Sequence, residues 1–266
     1  MNDAPLGVFD SGIGGLTVAR ALFERLPHEA VLYFGDTARV PYGPKSPETV
    51  RRYSAEILAY LIGRGVKAVV VACNTSTAHA LDHLRSRASV PVVGVIEPGA
   101  RAAVAASRSG TIGVIGTVGT VASGAYERAI KGLRPDATVV SAACPLFVPL
   151  VEEGWFDHPA AELIARDYLE PLRRSGADVV VLGCTHYPLL KPLLQRVLGA
   201  GVQLIDSAEE TAAQVVKELA ARDLAASARP RPEHVFAVSD DEPRFRRVGE
   251  RFLGERLKQV SVVPLG

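Results

Sequence analysis

Short apolar runs, rich in β-branched residues, alternate along this chain with longer segments whose apolar positions recur every three or four residues. Runs 6–9, 31–35, 66–72 and 91–95 predict strands, and segments 16–26, 47–62 and 77–87 predict the helices between them. Ser46 and Pro47 open the second helix with Glu48 in its first turn, residue types that suit a helix start. The pattern then restarts: strands over 111–115, 137–142, 178–182 and 202–205 alternate with helices over 123–133, 160–174, 189–197 and 209–225. Strands separated by helices of this length predict an α/β protein with mainly parallel sheets. The run 66–72 is apolar throughout except for Lys67, as suits a strand buried on both faces.

The restart is a weak internal repeat. GVFDSGIGGLTV, beginning at Gly7, matches the pattern of GVIGTVGTV, beginning at Gly113. VVVACNT sets Cys73 after a strand, and VVVLGCTH sets Cys184 in the same position. The offsets are 106 and 111 residues, close enough to predict two pseudosymmetric α/β domains. The boundary is expected near 96–99. A Pro/Arg-rich break at 227–233 precedes strand-like runs 235–238 and 260–263, so the tail is expected to return to the first unit. That gives a first domain of 1–97 plus 208–266 and a second of 98–207, with a site in the cleft between them.

Composition narrows the class. Of 266 residues, 48% are apolar and 22% charged, enough for a sizeable core. Thirty basic side chains against 29 acidic ones leave a net charge of +1, so no nucleic-acid partner is expected. No apolar run approaches the roughly 20 residues of a membrane span, and the first residues lack the basic start and apolar core of a secretory leader. Three cysteines, Cys73, Cys144 and Cys184, make a poor disulfide framework and point to a reducing cytoplasm.

Two of those thiols stand out. Cys73 and Cys184 each end a predicted strand, the edge where parallel sheets bind ligands. Each is followed by hydrogen-bonding groups, Asn74 and Thr75 in one unit and Thr185 and His186 in the other. A helix start after the cysteine would favour a thiolate and hold a carboxylate. Small buried core residues are the alternative, and paired placement argues against it. Cys144, between alanines and Pro145, has no counterpart and reads as packing. Zinc lacks a compact ligand pair, since His79 and His83 carry no glutamate between them, and a cysteine hydrolase built on Cys184 and His186 leaves Cys73 idle.

The first turn carries Asp10 and Ser11, then Gly12, Gly14 and Gly15. It matches neither nucleotide-binding glycine pattern, so a small carboxylate ligand is the more economical reading. The long loop 35–46 offers the Tyr42 hydroxyl and the Gly43 backbone, and Thr117 and Thr120 occupy the matching turn of the second unit, where they bind a ligand or cap a helix.

Taken in order, GVFDSGIGGLTV, YFGDTARVPYG, VVACNTSTAHAL, CPLFVPLVEEG and VVLGCTHYPLL closely resemble the glutamate racemases of bacterial cell-wall synthesis, within the cofactor-independent aspartate/glutamate racemase family. The likeness covers about 7–210. The histidine of C-T-H-Y-P fits the glutamate enzymes better than the aspartate ones. The resemblance implies that Cys73 and Cys184 are the catalytic thiols, working on D- and L-glutamate respectively. It implies that Asp10, His186 and Glu152 assist proton transfer, and that Asp10, Ser11, Tyr42, Gly43, Asn74, Thr75, Thr117, Thr120, Thr185 and His186 bind substrate. It further implies no cofactor, glutamate as the small-molecule partner, and a homodimer. None of the six lysines lies in a post-strand motif beside the thiols, as a pyridoxal Schiff base would need. Two readings compete: a two-lobed amino-acid binding protein, which leaves the thiols idle, and an aspartate racemase of the same fold.

Overall fold

The computed structural model describes residues 3–228, 232–254, 257 and 259–265. Ten strands appear in chain order: β1 (Leu6–Asp10), β2 (Val31–Gly35), β3 (Ala68–Val71), β4 (Val92–Gly94), β5 (Thr111–Gly116), β6 (Thr138–Ala143), β7 (Val179–Gly183), β8 (Gln203–Asp206), β9 (Val235–Val238) and β10 (Val260–Val262). They form two sheets, ordered β10-β9-β2-β1-β3-β4 and β6-β5-β7-β8, and every pairing is parallel. The orders β2-β1-β3-β4 and β6-β5-β7-β8 are the same, which gives the sequence repeat its structural meaning. Both strands of the tail, β9 and β10, extend the first sheet beyond β2. Residues 229–231 of the expected break lie outside the described residues.

The central strands β1, β3 and β7 are buried along their whole length, so alternate side chains feed opposite layers. Phe9 and Val71 point into one core with Phe34 and Ile57, while Val8 and Val70 point into another. That second core is continuous with residues under the other sheet, including Val180, Leu182 and Tyr187. The two lobes therefore share apolar packing rather than meeting only through loops.

Besides the short helix Val118–Ala122, which lies just before the predicted segment 123–133, three helices escaped the sequence reading, each for a physical reason. Ile96–Ala106 begins with Ile96, Glu97, Pro98 and Gly99, a string that reads as a boundary. Proline is tolerated in a first turn because its missing N–H has no intrahelical partner there anyway. Phe147–Glu152 is a six-residue piece built around Pro149. Glu242–Leu253 is dominated by charge, yet its apolar residues Phe245, Val248 and Phe252 fall at helical spacing and are buried. Asp241 caps it by accepting from the Arg244 N–H at 3.2 Å. Among the described residues no helix is long and apolar enough to cross a membrane.

Phe245 is fully buried and lies 5.9 Å from the Tyr33 ring, fastening this tail helix onto the first sheet. Phe245→Ala should cost about 3–5 kcal/mol of stability by removing a buried ring and leaving a cavity. Urea denaturation checks this; a loss under 1 kcal/mol would mean that the helix is not held by this side chain.

Candidate active site

The carboxyl edges of the two sheets face a common cavity of about 220 Å³, and both Cys73 and Cys184 line it. Ser11, Tyr42, Gly43, Asn74, Thr75, Thr117, Thr185 and His186 line it as well. Asp10, Thr120 and Glu152 stand one layer behind and touch lining residues. Cys144 is fully buried away from the cavity, its carbonyl accepting from Tyr187 Oη at 2.8 Å. Burial pushes its thiol up to about 12.

Strand ends place both thiols, but the groups that serve them differ. Cys73 follows β3 and is the N-cap of helix Asn74–Arg85, so the helix begins earlier than its apolar pattern suggests. Its Sγ accepts from the Ser76 N–H at 3.5 Å and donates to Ser11 Oγ at 3.7 Å. A helix N-terminus favours negative charge by about 0.3–1 kcal/mol. Burial outweighs this and, helped by the charge of Asp10, pushes the Cys73 thiol up to about 11.

Cys184 follows β7, where only a short turn of 3₁₀ helix, Tyr187–Leu190, comes next. Its neighbour is instead an imidazole, with His186 Nδ1 3.9 Å from Cys184 Sγ. His186 Nε2 meets Glu152 Oε1 at 3.0 Å, and Arg244 Nη2 donates to Glu152 Oε2 at 2.9 Å. Burial works against a charged imidazole, but the bonds to Cys184 and Glu152 win and raise it to about 10. Glu152 is itself pulled low: burial raises it, and His186 and Arg244 together overcome that. Arg244 comes from the tail helix, which the sequence reading lacked, so only its charge next to an apolar periodic stripe could have signalled it.

Asp10 is buried and raised, chiefly by desolvation, against the opposing pull of His186 and of backbone N–H groups at Gly15, Gly12 and Ser11. One oxygen accepts from the Gly12 N–H at 3.0 Å, and Oδ1 has no hydrogen-bond partner. Asn74 is 2% exposed; Tyr126 Oη donates to its Oδ1 at 2.7 Å, while Nδ2 is left unbonded at the cavity. An unpaired buried amide costs on the order of 1–3 kcal/mol, so this donor lacks an acceptor within the protein. Thr75 Oγ1 meets Thr117 Oγ1 at 2.9 Å and Thr120 Oγ1 at 3.3 Å, joining the two lobes through hydroxyls. The Tyr42 hydroxyl, read from sequence as a ligand donor, donates to buried Asp36 instead. Asp36 also accepts from Arg39 and Ser239, so the Tyr42 hydroxyl is engaged within the first lobe while the residue still lines the cavity.

The glycine turn after β1 has a steric explanation. A Cβ on Gly14 would collide with Thr185 Oγ1 and come within 2.5 Å of His186 Nδ1. Thr17, just beyond, donates through Oγ1 to the Thr185 carbonyl at 3.2 Å. At Gly14 the first lobe packs its backbone directly on the motif of the second, whereas Gly12 and Gly15 are closed in by Val40 and by Asp10 of their own lobe.

A sequence profile of the Asp/Glu/Hydantoin racemases matches residues 15–215. A glutamate racemase of Geobacter metallireducens is 55% identical over 260 residues, 98% of this chain and 96% of the relative. The chain belongs to this family, among its glutamate racemases. A crystal structure of a Bacillus anthracis glutamate racemase isoform is 41% identical and superposes with a TM-score of 0.96, covering 100% of this chain and 99% of the other. A Francisella tularensis glutamate racemase, crystallised with D-glutamate, is 37% identical with a TM-score of 0.94 over 100% and 99% of the two chains. The fold of the family, two pseudosymmetric parallel α/β domains, is therefore the fold of this chain.

Glu152→Gln removes the anion facing His186. The imidazole of the folded protein, raised to about 10, should fall toward the ordinary 6.5 by more than one pH unit. It would then lose its charge at a lower pH than in the parent, with the bond to Cys184 still holding it above the ordinary value. NMR titration of the His186 ring reads this directly; an unmoved value would show that Glu152 does not hold the proton there.

Proposed function

We propose that the chain interconverts L- and D-glutamate without a cofactor, by a two-base mechanism with Cys73 and Cys184 on opposite walls of the cavity, and supplies D-glutamate for peptidoglycan synthesis. The observation that carries the mechanism is the pair of thiols, one from each lobe, lining a single buried cavity. Racemisation requires loss of the α-proton from one face of the carbon and delivery of a proton to the other. One sulfur acts as thiolate and the other as thiol. The thiolate takes the α-proton and becomes a thiol, leaving a carbanion. The opposite thiol gives its proton to the other face and becomes a thiolate. The reverse reaction begins from that swapped state.

The electrostatics favour a defined resting arrangement. Cys73, pushed up to about 11, rests as a thiol at neutral pH. Cys184 Sγ lies 3.9 Å from an imidazole that is cationic there, so a counter-charge is in place when this sulfur takes the α-proton of L-glutamate. Helix N-terminus, Ser76 and Ser11 then ease the charge that appears on Cys73 at the end of the turnover. Asp10 stands behind the Cys73 side, and His186 with Glu152 behind the Cys184 side.

The α-proton is far less acidic than a thiol, so the protein must stabilise the developing carbanion. Ser11, Asn74, Thr75 and Thr185 are the donors placed to hold the α-carboxylate, with the unbonded Asn74 amide the clearest of them. A closed cavity strengthens each of these bonds by excluding water. The proposal keeps domain bounds of 1–97 plus 208–266 and 98–207, supported by the place of β9 and β10 beside β2 in the first sheet. A homodimer in the cytoplasm remains part of the proposal on the strength of the family resemblance.

Exchange of the α-hydrogen in heavy water tests the reading, with glutamate and aspartate assayed separately. Exchange is expected with glutamate and not with aspartate; the converse would make this an aspartate enzyme, and exchange with neither would end the racemase reading. Cys73→Ala and Cys184→Ala should each lower racemisation by at least 10³-fold, the order lost when an acid–base group is removed. Cys144→Ala should stay within a few-fold of the parent.

A further inference from the structure

Beside the mouth of the substrate cavity lies a second one, of about 460 Å³. Gly43, Pro44 and Val118 line both and form the wall between them. Lys45 and Arg51 enter the second cavity from the first lobe, Arg128 from the second lobe, and His79 sits between. No aspartate or glutamate lines it. Among the described residues none of Lys45, Arg51 and Arg128 is in an ion pair, so no carboxylate beside them neutralises their charge.

Both guanidinium groups are held in place by one bond each. Arg51 Nε donates to the His79 carbonyl at 3.1 Å, and Arg128 Nη1 donates to the Ser123 carbonyl at 2.7 Å. Each keeps further N–H groups free to donate. Arginine presents these in a planar fork that matches two oxygens of one oxyanion, and uncompensated cations around one cavity raise the local concentration of anions.

We propose that this cavity is an anion site, distinct from the glutamate site, that takes a multiply charged phosphoryl group between Arg51 and Arg128. Its position gives it a consequence for turnover. The same wall carries the clasp between lobes: the Gly119 N–H donates to the Gly43 carbonyl at 2.8 Å, and His79 Nε2 donates to the Gly119 carbonyl at 3.1 Å. An anion bridging Arg51 and Arg128 ties the two lobes together next to that clasp. The occupant therefore opposes parting of the lobes at the mouth and slows product release. It lowers kcat without competing with glutamate. The charge excess, with one arginine from each lobe, is a property of this cavity alone; only the kinetic consequence rests on the proposed racemisation at the neighbouring thiols.

Inorganic pyrophosphate is the probe. Calorimetric titration into the full-length protein at low ionic strength, with saturating glutamate present, is expected to show one site with a submillimolar Kd. Succinate, a dicarboxylate without a phosphoryl group, is expected to bind at least tenfold more weakly at that site. Arg51→Ser and Arg128→Ser should each weaken pyrophosphate binding at least tenfold and leave the glutamate KM and kcat, measured without pyrophosphate, within twofold of the parent. In the parent, saturating pyrophosphate should lower kcat several-fold with KM not increased. Absence of binding, equal binding of succinate, binding that both substitutions leave unchanged, or simple competition with glutamate would each overturn the proposal. Because the titration reads binding itself, it decides the site even if the racemase reading fails.

Discussion

Gly119 donates its N–H to the Gly43 carbonyl across the cleft, and the Gly14 turn presses its bare backbone against Thr185 and His186. These contacts are backbone on backbone or backbone on motif, with no side chain between. A Cβ on Gly119 would come 2.7 Å from the Gly43 oxygen, so even alanine would push the lobes apart there. The rest of the site depends on that closeness. It lets Thr75 and Thr117 share a hydrogen bond, brings Tyr126 of the second lobe onto Asn74 of the first, and keeps the space between the thiols small. In the proposed mechanism a small cavity lets a few fixed donors, in place of water, stabilise the carbanion.

Within that frame the pseudosymmetry holds for four strands of each sheet and is broken in chemistry. Equivalent strands, β3 and β7, deliver the two sulfurs to equivalent places. The groups around the sulfurs are not equivalent: a helix N-terminus and two serines surround Cys73, whereas an imidazole tied to a carboxylate and an arginine serves Cys184. Two identical sites would hold a shared proton equally; unequal surroundings remove that equivalence, and under the proposed mechanism each sulfur has its own groups to support charge in its turn. The His186–Glu152–Arg244 chain also ties this preference to the tail of the molecule, since Arg244 is donated by the helix Glu242–Leu253 of the first lobe.

Much of this was legible in the sequence because the informative residues sit where the pattern is strongest. Buried parallel strands leave unbroken apolar runs, and ligands of such sheets meet the residues just past them, which singled out Asp10, Cys73, Thr117 and Cys184. Glu152 came from the family motif and not from periodicity, since its helix is short and holds a proline. What stayed hidden depends on tertiary approach. Tyr126 and Arg244 act on residues 52 and 92 positions away, and no local spacing announces them. The Tyr42 hydroxyl was assigned to ligand because Asp36 gives no sign in the sequence of being fully buried and in need of donors. The helix Ile96–Ala106 was concealed by a Pro-Gly pair that a first turn accommodates.

The central claim is that two sulfurs on opposite faces exchange roles in a single turnover, and isotope placement in heavy water reads it most directly. L-glutamate carrying protium at the α-carbon is converted under initial-rate conditions, and the recovered substrate and product are analysed separately by mass. A thiol exchanged with solvent before substrate binds will deliver deuterium to the far face. The account therefore predicts D-glutamate that is almost wholly deuterated, with the remaining L-glutamate still protiated. Product that retains the substrate's own hydrogen in substantial amount would mean that one base carries the proton between faces, and would contradict the assignment of Cys73 and Cys184 as a pair.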